Sequence, residues 1–455
     1  LKGRNGEGKV KNVYDVFTER GFVEQVTDEA ELRTLLQDEH VTCYIGFDPT
    51  ATSLHIGSLV PIMALMHMQE RGHRPIILIG GGTGLIGDPS GKSEMRQILT
   101  REDIDYNASC LQKQLSRYMD FGKGKAILLN NAEWLTGLKY IEFLRDIGRH
   151  FSVNKMLAAE SYRMRLETGL NFIEFNYMLL QAYDFLYLFT NYGCVLQMGG
   201  NDQWGNMLAG SDLIRRMKGQ NAFSITFPLI TTSHGYKMGK TEKGTVWLDP
   251  ELSSPYEYYQ FWINTDDSDV ERFLALFTFL PMDEIKGVTR LDNARLIDAR
   301  LNMPREMRTW ADARLNMAKA VLAFEATKIT HGSDAAIAAW TASVTAFNTK
   351  PIEDGLFPSS DIPREDAARD MSAIPTSERS RSELEKGIPA FKLACEVGLA
   401  GTRGEARRLI AQGGIYINDR PIEKFDEKIT VSHLNEHGEI HLRKGKKKHA
   451  LITVK

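Results

Sequence analysis

Apolar and polar positions along the chain alternate between helical and strand-like patterns. Residues 13 to about 40 carry apolar side chains at helical spacing and lead into Val41 to Phe47, a strand-like run that ends in the Pro49-Thr50 turn. After His55-Ile56-Gly57, the stretch Leu59 to Met68 is so continuously apolar that it predicts a buried helix. Arg74-Pro75 and the short run Ile76 to Ile79 follow, of the kind buried on both faces in a parallel sheet. The run ends in GGGTGLIGDPSGK, Gly80 to Lys92, whose glycines suit either a close approach to a ligand or a loose connection. Strand, helix, strand and glycine turn in that order predict an α/β fold, a doubly wound parallel sheet with its crevice at the carboxyl ends of the strands.

A long mixed helical region comes next. Within it Glu174 to Thr190 predicts a helix that places Tyr177, Gln181 and Asp184, at i, i+4 and i+7, on one side. Polar groups on so apolar a helix need partners unless the stripe is solvated. Val195 to Met198 predicts a strand that delivers the loop Gly199 to Asn206, and Met207 to Met217 a further helix. The loop TTSHGYKMGKTEKG, Thr231 to Gly244, closes the first domain. From Ser254 the pattern is helical without strands; Leu315, Ala318, Leu322, Ala326 and Ile329 step by threes and fours up to His331-Gly332. Pro351 to Lys386, rich in Pro, Ser, Asp and Glu, reads as a linker. Beyond Ile388, Ala406, Leu409 and Ile410 mark a short helix with Arg403, Arg407 and Arg408 on its other faces. Gly413-Gly414 stop it, and Ile415 to Ile417 with Asn418-Asp419 begin a hairpin.

A chain of 455 residues exceeds one core, so two to four domains are expected. Hydrophobic content of 42% and charged content of 25% are those of a globular protein, and no run approaches the roughly 18 apolar residues of a membrane span. The Gly- and Lys-rich opening, 1–12, is expected to be a disordered tail without a secretion signal. The four cysteines are scattered, with no C-x-x-C pair and no nearby His at metal spacing. They read as reduced thiols of a cytoplasmic protein with no metal site of its own. A net charge of −3 argues against a wholly basic nucleic-acid binder. Even so, Arg443, Lys444, Lys446, Lys447 and Lys448 crowd the end, as a phosphate-contacting surface or a solvated tail.

Candidate chemistry centres on YIGFDPTATSLHIG, Tyr44 to Gly57, and on the compact basic loop Lys237-Met238-Gly239-Lys240-Thr241. The first stretch is expected to place Thr50 and His55 at a helix N-terminus, whose unpaired N–H groups and dipole favour a phosphate. Together the two resemble the HIGH and KMSKS elements of class I aminoacyl-tRNA synthetases. With GLIGDPSGK, YMLLQAYDF and GGNDQWGN in the same order, the chain from about Val13 onward resembles the bacterial-type tyrosyl-tRNA synthetases. The segment from Ile388 is similar to a small RNA-binding module also found in a ribosomal protein of the small subunit. The implied organisation is a Rossmann-like catalytic domain over 13–248, an all-α domain of anticodon-binding type over 249–350, a linker over 351–387 and a small α+β RNA-binding domain over 388–455.

The resemblance implies activation of L-tyrosine by ATP, with Mg2+ accompanying the nucleotide, to tyrosyl adenylate and pyrophosphate. Transfer to the terminal adenosine of tRNA(Tyr) follows, by a homodimer without membrane attachment. The attacking carboxylate is already ionised, so positioning and charge stabilisation suffice and no general base is required. Thr50, His55, Lys237 and Lys240 would grip the departing pyrophosphate, assisted by Thr241, Lys92 and Arg96. Tyr44 and Asp184 would read the phenol, Asp88, Tyr177 and Gln181 the ammonium group, and Gln203 and Asp202 the carboxylate and the ribose. Asp48 is a further polar wall residue, counted with Gly57 on the ATP side. Arg403, Arg407, Arg408, Lys446 and Lys447 would contact tRNA. Three positions depart from the family pattern: Ser58 replaces the second histidine of HIGH, Ile45 stands where some relatives carry Cys, and Pro61 enters the first helical turns. A tryptophan-specific ligase and a non-catalytic RNA-binding protein of the same fold are the rival readings.

Overall fold

The computed structural model describes residues 11–455 apart from 91–98, 161, 164–165, 167–168, 232–237, 239, 242–243, 294–304, 348, 350–351, 366–369, 436 and 446–447. At 240–241, 289–293 and 305–311 only the backbone is described. Two compact units form, one of Leu1–Asp249 with Glu271–Ile285, the other of Pro250–Val270 with Lys286–Lys455. Among the described residues no helix is long and apolar enough to cross a membrane.

Six strands of the first unit, β1 (Gln25–Val26), β2 (Thr42–Phe47), β3 (Arg74–Ile79), β4 (Ile127–Asn130), β5 (Cys194–Gly200) and β6 (Phe223–Phe227), lie in the order β1-β6-β5-β2-β3-β4. All pairings are parallel except that of β1 with β6. The order runs outward to β3 and β4 on one side of β2 and to β6 on the other side of β5. The β2/β5 boundary is therefore the topological switch point, where a doubly wound sheet opens a crevice at its carboxyl edge. In β2 every residue but Gly46, and in β3 every residue but Arg74, is buried, as expected of strands covered on both faces. The helix expected after His55 runs from Leu59 to Glu70, with Pro61 in its first turn where a missing N–H costs little.

Three strands of this sheet, β1, β4 and β6, lie where sequence patterning indicated none. β4 falls inside the region read as helical, because its four residues are half-buried at the sheet edge and show neither a long apolar run nor a clean alternation. β1 and β6 are likewise too short to assert a period against the helical spacing around them. Asn12, counted with the tail, is buried and accepts the Tyr14 N–H as cap of helix Val13–Arg20.

Helices Pro255–Ile263, Arg305–His331 and Ser333–Phe347 form the helical part of the second unit. They are tied by a Tyr258–Thr330 hydroxyl pair at 3.0 Å and by Gln260 Nε2 donating to Ser343 Oγ at 3.1 Å. Residues 271–285, read with this domain, belong to the first unit instead. The terminal body has a sheet in the order β12-β11-β14-β15-β9 and a short β10/β13 pair. Its strands are β9 (Thr376–Arg379), β10 (Ile388–Pro389), β11 (Ile415–Ile417), β12 (Arg420–Pro421), β13 (Lys428–Ile429), β14 (Glu439–Lys444) and β15 (Lys448–Val454). The hairpin expected at Asn418-Asp419 is present, both residues at positive φ (44° and 65°) as its two-residue turn demands. β9 comes from the stretch read as linker and pairs in parallel with β15. A polar edge strand carries little apolar signal, which is why composition alone read it as loop.

Candidate active site

The crevice at the carboxyl edge is built from strand ends and one helix. Tyr44 projects from β2, Gln197 from β5, and helix Tyr177–Tyr192 supplies Tyr177, Gln181 and Asp184. The polar stripe is thus turned inward: Asp184 is 2% exposed and Tyr177 6%. Asp184 accepts the Asn131 Nδ2 hydrogen at 2.8 Å and the Trp134 indole N–H at 2.7 Å. Burial still pushes its carboxyl up to about 7, the two hydrogen bonds pulling it back and the charge of Asp48 adding to the rise. Trp134 is itself fixed by stacking on Tyr187, ring centroids 4.2 Å apart. Tyr44, 1% exposed, has its hydroxyl buried with no hydrogen-bond partner among the described residues. Burial, then the Asp184 charge, raises the pKa of that phenol.

Two further networks line the walls. Asp48 accepts the Thr83 hydroxyl at 2.7 Å on one carboxylate oxygen and the Tyr177 hydroxyl at 2.8 Å on the other. Asn131 also donates to Thr83, at 3.0 Å, which links the Asp48 and Asp184 carboxylates through two neutral groups. Opposite them, Asp88 accepts the Gln203 amide at 2.7 Å and the Ser90 backbone N–H at 2.9 Å. Asn206 donates to Gln181 at 3.0 Å and to Gln203 at 3.2 Å. Asp202 sits beside them at the end of β5, in the turn Asn201–Gln203. The glycine run has a local reason: a Cβ on Gly80 would fall 1.9 Å from an Asp48 oxygen, so the backbone yields its space to that carboxylate.

His55 is exposed at the head of the turn Ile56–Ser58. Its Nδ1 accepts the Gly57 N–H at 3.0 Å, so the neutral ring carries its proton on Nε2. Backbone bonds Ile56 N–H to Val246 O, 3.0 Å, and Leu248 N–H to Leu54 O, 2.9 Å, join this segment to the strand leaving the basic loop. A Cβ on Gly57 would lie 3.1 Å from the Met238 carbonyl oxygen. The two motifs, nearly two hundred residues apart, are therefore brought together. Thr50 is not at the helix N-terminus; it lies in the bend after β2, exposed, with its N–H on the Asp48 carbonyl at 2.8 Å. The backbone of Lys240 and Thr241 forms β7, paired with β8 (Gly244–Thr245). Lys92, Arg96 and Lys237 lie outside the described residues.

In the terminal body Arg403 and Arg408 are exposed on helix Arg403–Ala411. Arg407 lies over the rings of Phe391 and Phe425, at 4.3 and 5.4 Å, and Arg443 over Tyr416 at 3.8 Å with Asp419 at 3.0 Å. Lys444 pairs with Glu405 at 2.7 Å. Lys446 and Lys447 lie outside the described residues. Lys448 donates to the Gly398 carbonyl, so the three described members of the terminal basic cluster, Arg443, Lys444 and Lys448, all have intramolecular partners as well as charge.

Sequence reasoning missed Thr83, Asn131, Trp134 and Asn206. Asn130-Asn131 after the apolar Ile127 to Leu129 is a strand-end polar pair that could have flagged β4 and its loop. Trp134 and Thr83 carried no such signal. A cavity of about 1170 Å3, lined by Gln25, Glu31, Lys155, Asp202 and Trp204 among others, touches this site only at its Asp202 margin; Tyr44, Asp88 and Asp184 do not line it.

Residues 36–348 match the family described as tRNA synthetases class I (W and Y), and residues 367–452 the tyrosine–tRNA ligase SYY-like C-terminal domain. A tyrosine–tRNA ligase of Syntrophus aciditrophicus is 65% identical over 445 residues, 98% of this chain and 99% of that one. One of Desulfatibacillum aliphaticivorans is 59% identical, with 97% and 98% covered. Among solved structures, a C-terminally truncated mitochondrial tyrosyl-tRNA synthetase of Aspergillus nidulans superposes with a TM-score of 0.61 at 31% identity, covering 73% of this chain and 94% of that one. These relatives favour neither a tryptophan-specific nor a non-catalytic reading. The chain belongs to the class I aminoacyl-tRNA synthetases and, within them, to the tyrosine–tRNA ligase family.

Proposed function

We propose that this chain joins tyrosine to ATP as tyrosyl adenylate, releasing pyrophosphate, and then passes the tyrosyl group to the terminal adenosine of tRNA(Tyr). The observation that carries the tyrosine assignment is a buried Tyr44 hydroxyl with no hydrogen-bond partner among the described residues, near enough to the buried Asp184 carboxylate to feel its charge. A buried polar atom left unpaired is costly, and a substrate phenol between these groups would give Tyr44 a partner and donate to Asp184. Phenylalanine offers neither bond, so the same geometry rejects it.

Asp88, fixed by Gln203 and the Ser90 N–H, offers an anionic acceptor suited to the substrate ammonium group. Gln181 and Tyr177 border the same space, although the Tyr177 hydroxyl is held by Asp48, which supports a walling role for it as much as a direct contact. His55 Nε2, with its proton, suits a phosphate oxygen, and the backbone approach of Met238 to Gly57 supports delivery of the Lys237 and Lys240 charges to the same phosphates. No group of three or more His, Cys, Asp or Glu among the described residues is arranged to hold a metal. Mg2+ would come with ATP, held by phosphates and water, and would neutralise charge on the leaving pyrophosphate. We also infer a homodimer, supported by Tyr140, Ile141, Val153 and Phe172, large apolar side chains all more than half exposed within one stretch of the first unit. Tyrosine-dependent ATP–pyrophosphate exchange with phenylalanine and tryptophan as controls tests the assignment. Exchange supported equally by phenylalanine would refute it.

A further inference from the structure

Residues 271–285 belong to the first unit, although the chain on both sides of them belongs to the second. They are held firmly. The guanidinium of Arg20, 8% exposed, donates to the carbonyls of Ala275 and Thr278 at 2.8 and 2.9 Å through Nη1 and to that of Leu280 at 2.6 Å through Nη2. The buried His67 ring, near the end of the helix that His55 precedes, meets Phe279 edge-on with centroids 4.7 Å apart. The far end of the segment is therefore anchored to the core of the unit.

Its near end reaches the base of the basic loop. Arg272 is exposed, and its Nη2 donates to the Thr231 carbonyl at 2.5 Å. The neighbouring residue, Ile230, accepts the Met238 N–H at 2.8 Å. Met238 is buried, and its carbonyl oxygen is the atom a Cβ on Gly57 would meet at 3.1 Å. An anchored segment, Arg272, Thr231, the Ile230–Met238 pair and the Gly57 turn thus form a continuous line of contacts that ends beside His55. An exposed bond to one carbonyl adds little to the stability of a unit this size. At this place it can fix the position of backbone on which the chemistry depends, because catalysis by orientation is sensitive to displacements of about 1 Å.

We propose that Arg272 is a positioning residue for adenylate formation: by holding the Thr231 carbonyl it sets the base of the basic loop and, through Ile230 and Met238, the seat of that loop against the Gly57 turn. The proposal rests on the functional reading above. Arg272 touches neither tyrosine nor ATP in this role.

The test compares Arg272→Ala and Arg272→Lys with the wild-type full chain in three measurements: single-turnover formation of tyrosyl adenylate over a range of ATP, tyrosine affinity by equilibrium binding, and thermal unfolding. Arg272→Ala is expected to lower the rate constant at saturating ATP by about tenfold or more, given that 1 Å of misplacement can cost about a hundredfold. Tyrosine affinity and the unfolding temperature should stay at wild-type values, and Arg272→Lys, which can still donate to the carbonyl, should recover most of the rate. A wild-type rate in Arg272→Ala overturns the proposal. A rate loss matched by an equal loss of tyrosine affinity overturns it too, as does a lysine variant no better than alanine. Wild-type protein without tyrosine-dependent exchange would instead refute the functional reading on which the proposal rests.

Discussion

Trp134→Phe isolates one hydrogen bond to Asp184, the carboxylate proposed to read the substrate phenol. Phenylalanine keeps a ring against Tyr187 but deletes the indole N–H that donates to Asp184 at 2.7 Å. A hydrogen bond to a buried charged acceptor contributes roughly 1.5 to 3 kcal/mol. Because one pKa unit corresponds to about 1.4 kcal/mol, its loss should raise the Asp184 pKa by roughly 1 to 2 units. Burial already sets that carboxyl at about 7, so the variant should titrate near pH 8 to 9. The sign follows from the proposed role: if the ionised carboxylate accepts the substrate phenol, activity is lost as pH falls through the folded pKa. At pH 7 the ionised fraction would fall from about one half to between about a tenth and a hundredth. The kcat/KM for tyrosine in pyrophosphate exchange should drop about fivefold to fiftyfold at that pH and recover at pH 9 to 10. Its acid limb should move upward by the same 1 to 2 units, while the weak activity with phenylalanine, which makes no phenol bond, should lack that limb. An acid limb at the same pH in both proteins, or one shared with phenylalanine, would show that Asp184 does not read the phenol.

Gly80→Ala should weaken tyrosine activation by about tenfold or more without unfolding the protein, because the new Cβ would displace the Asp48 carboxylate from Thr83 and Tyr177; wild-type exchange kinetics would disprove that crowding. His67 is buried among Phe17, Phe22 and Phe279, and burial lowers its pKa to about 4. With the folded pKa depressed below 6.5, its neutral form supports stability fully above about pH 6.5, and that support is lost as pH falls toward 4, by roughly 3 kcal/mol. His67→Leu should flatten this part of the pH dependence in urea unfolding, and an unchanged slope between pH 7 and 4 would count against it. Truncation after Pro363 removes β9 together with the rest of the terminal sheet; it should leave pyrophosphate exchange nearly intact, cut tRNA charging severely and shallow the salt dependence of tRNA binding. Undiminished charging by the shortened chain would remove the terminal body from tRNA recognition.

The placement of much of the candidate site was legible in the sequence, because its residues sit on strands, at strand ends and on one helical face, positions that periodicity exposes. Tyr177, Gln181 and Asp184 share a face for any helix of 3.6 residues per turn, whatever surrounds it. The hairpin at Asn418-Asp419 and the stop at Gly413 were equally local, since positive φ is a property of those residues themselves. The two motifs that resemble HIGH and KMSKS belong to the same class, short segments recognisable from their own composition. Tertiary structure alone decided the partners. Only the strand order brings β4 beside β3, and with it Asn131 and Trp134 onto Asp184, across about fifty residues of chain. Only packing makes Asp184 lose water and rise to about 7, because desolvation depends on what covers a carboxylate and not on its neighbours in sequence. The approach of Met238 to Gly57 and the grip of Arg272 on Thr231 have the same origin, contacts set where separate elements meet and left unwritten in the periodicity of either.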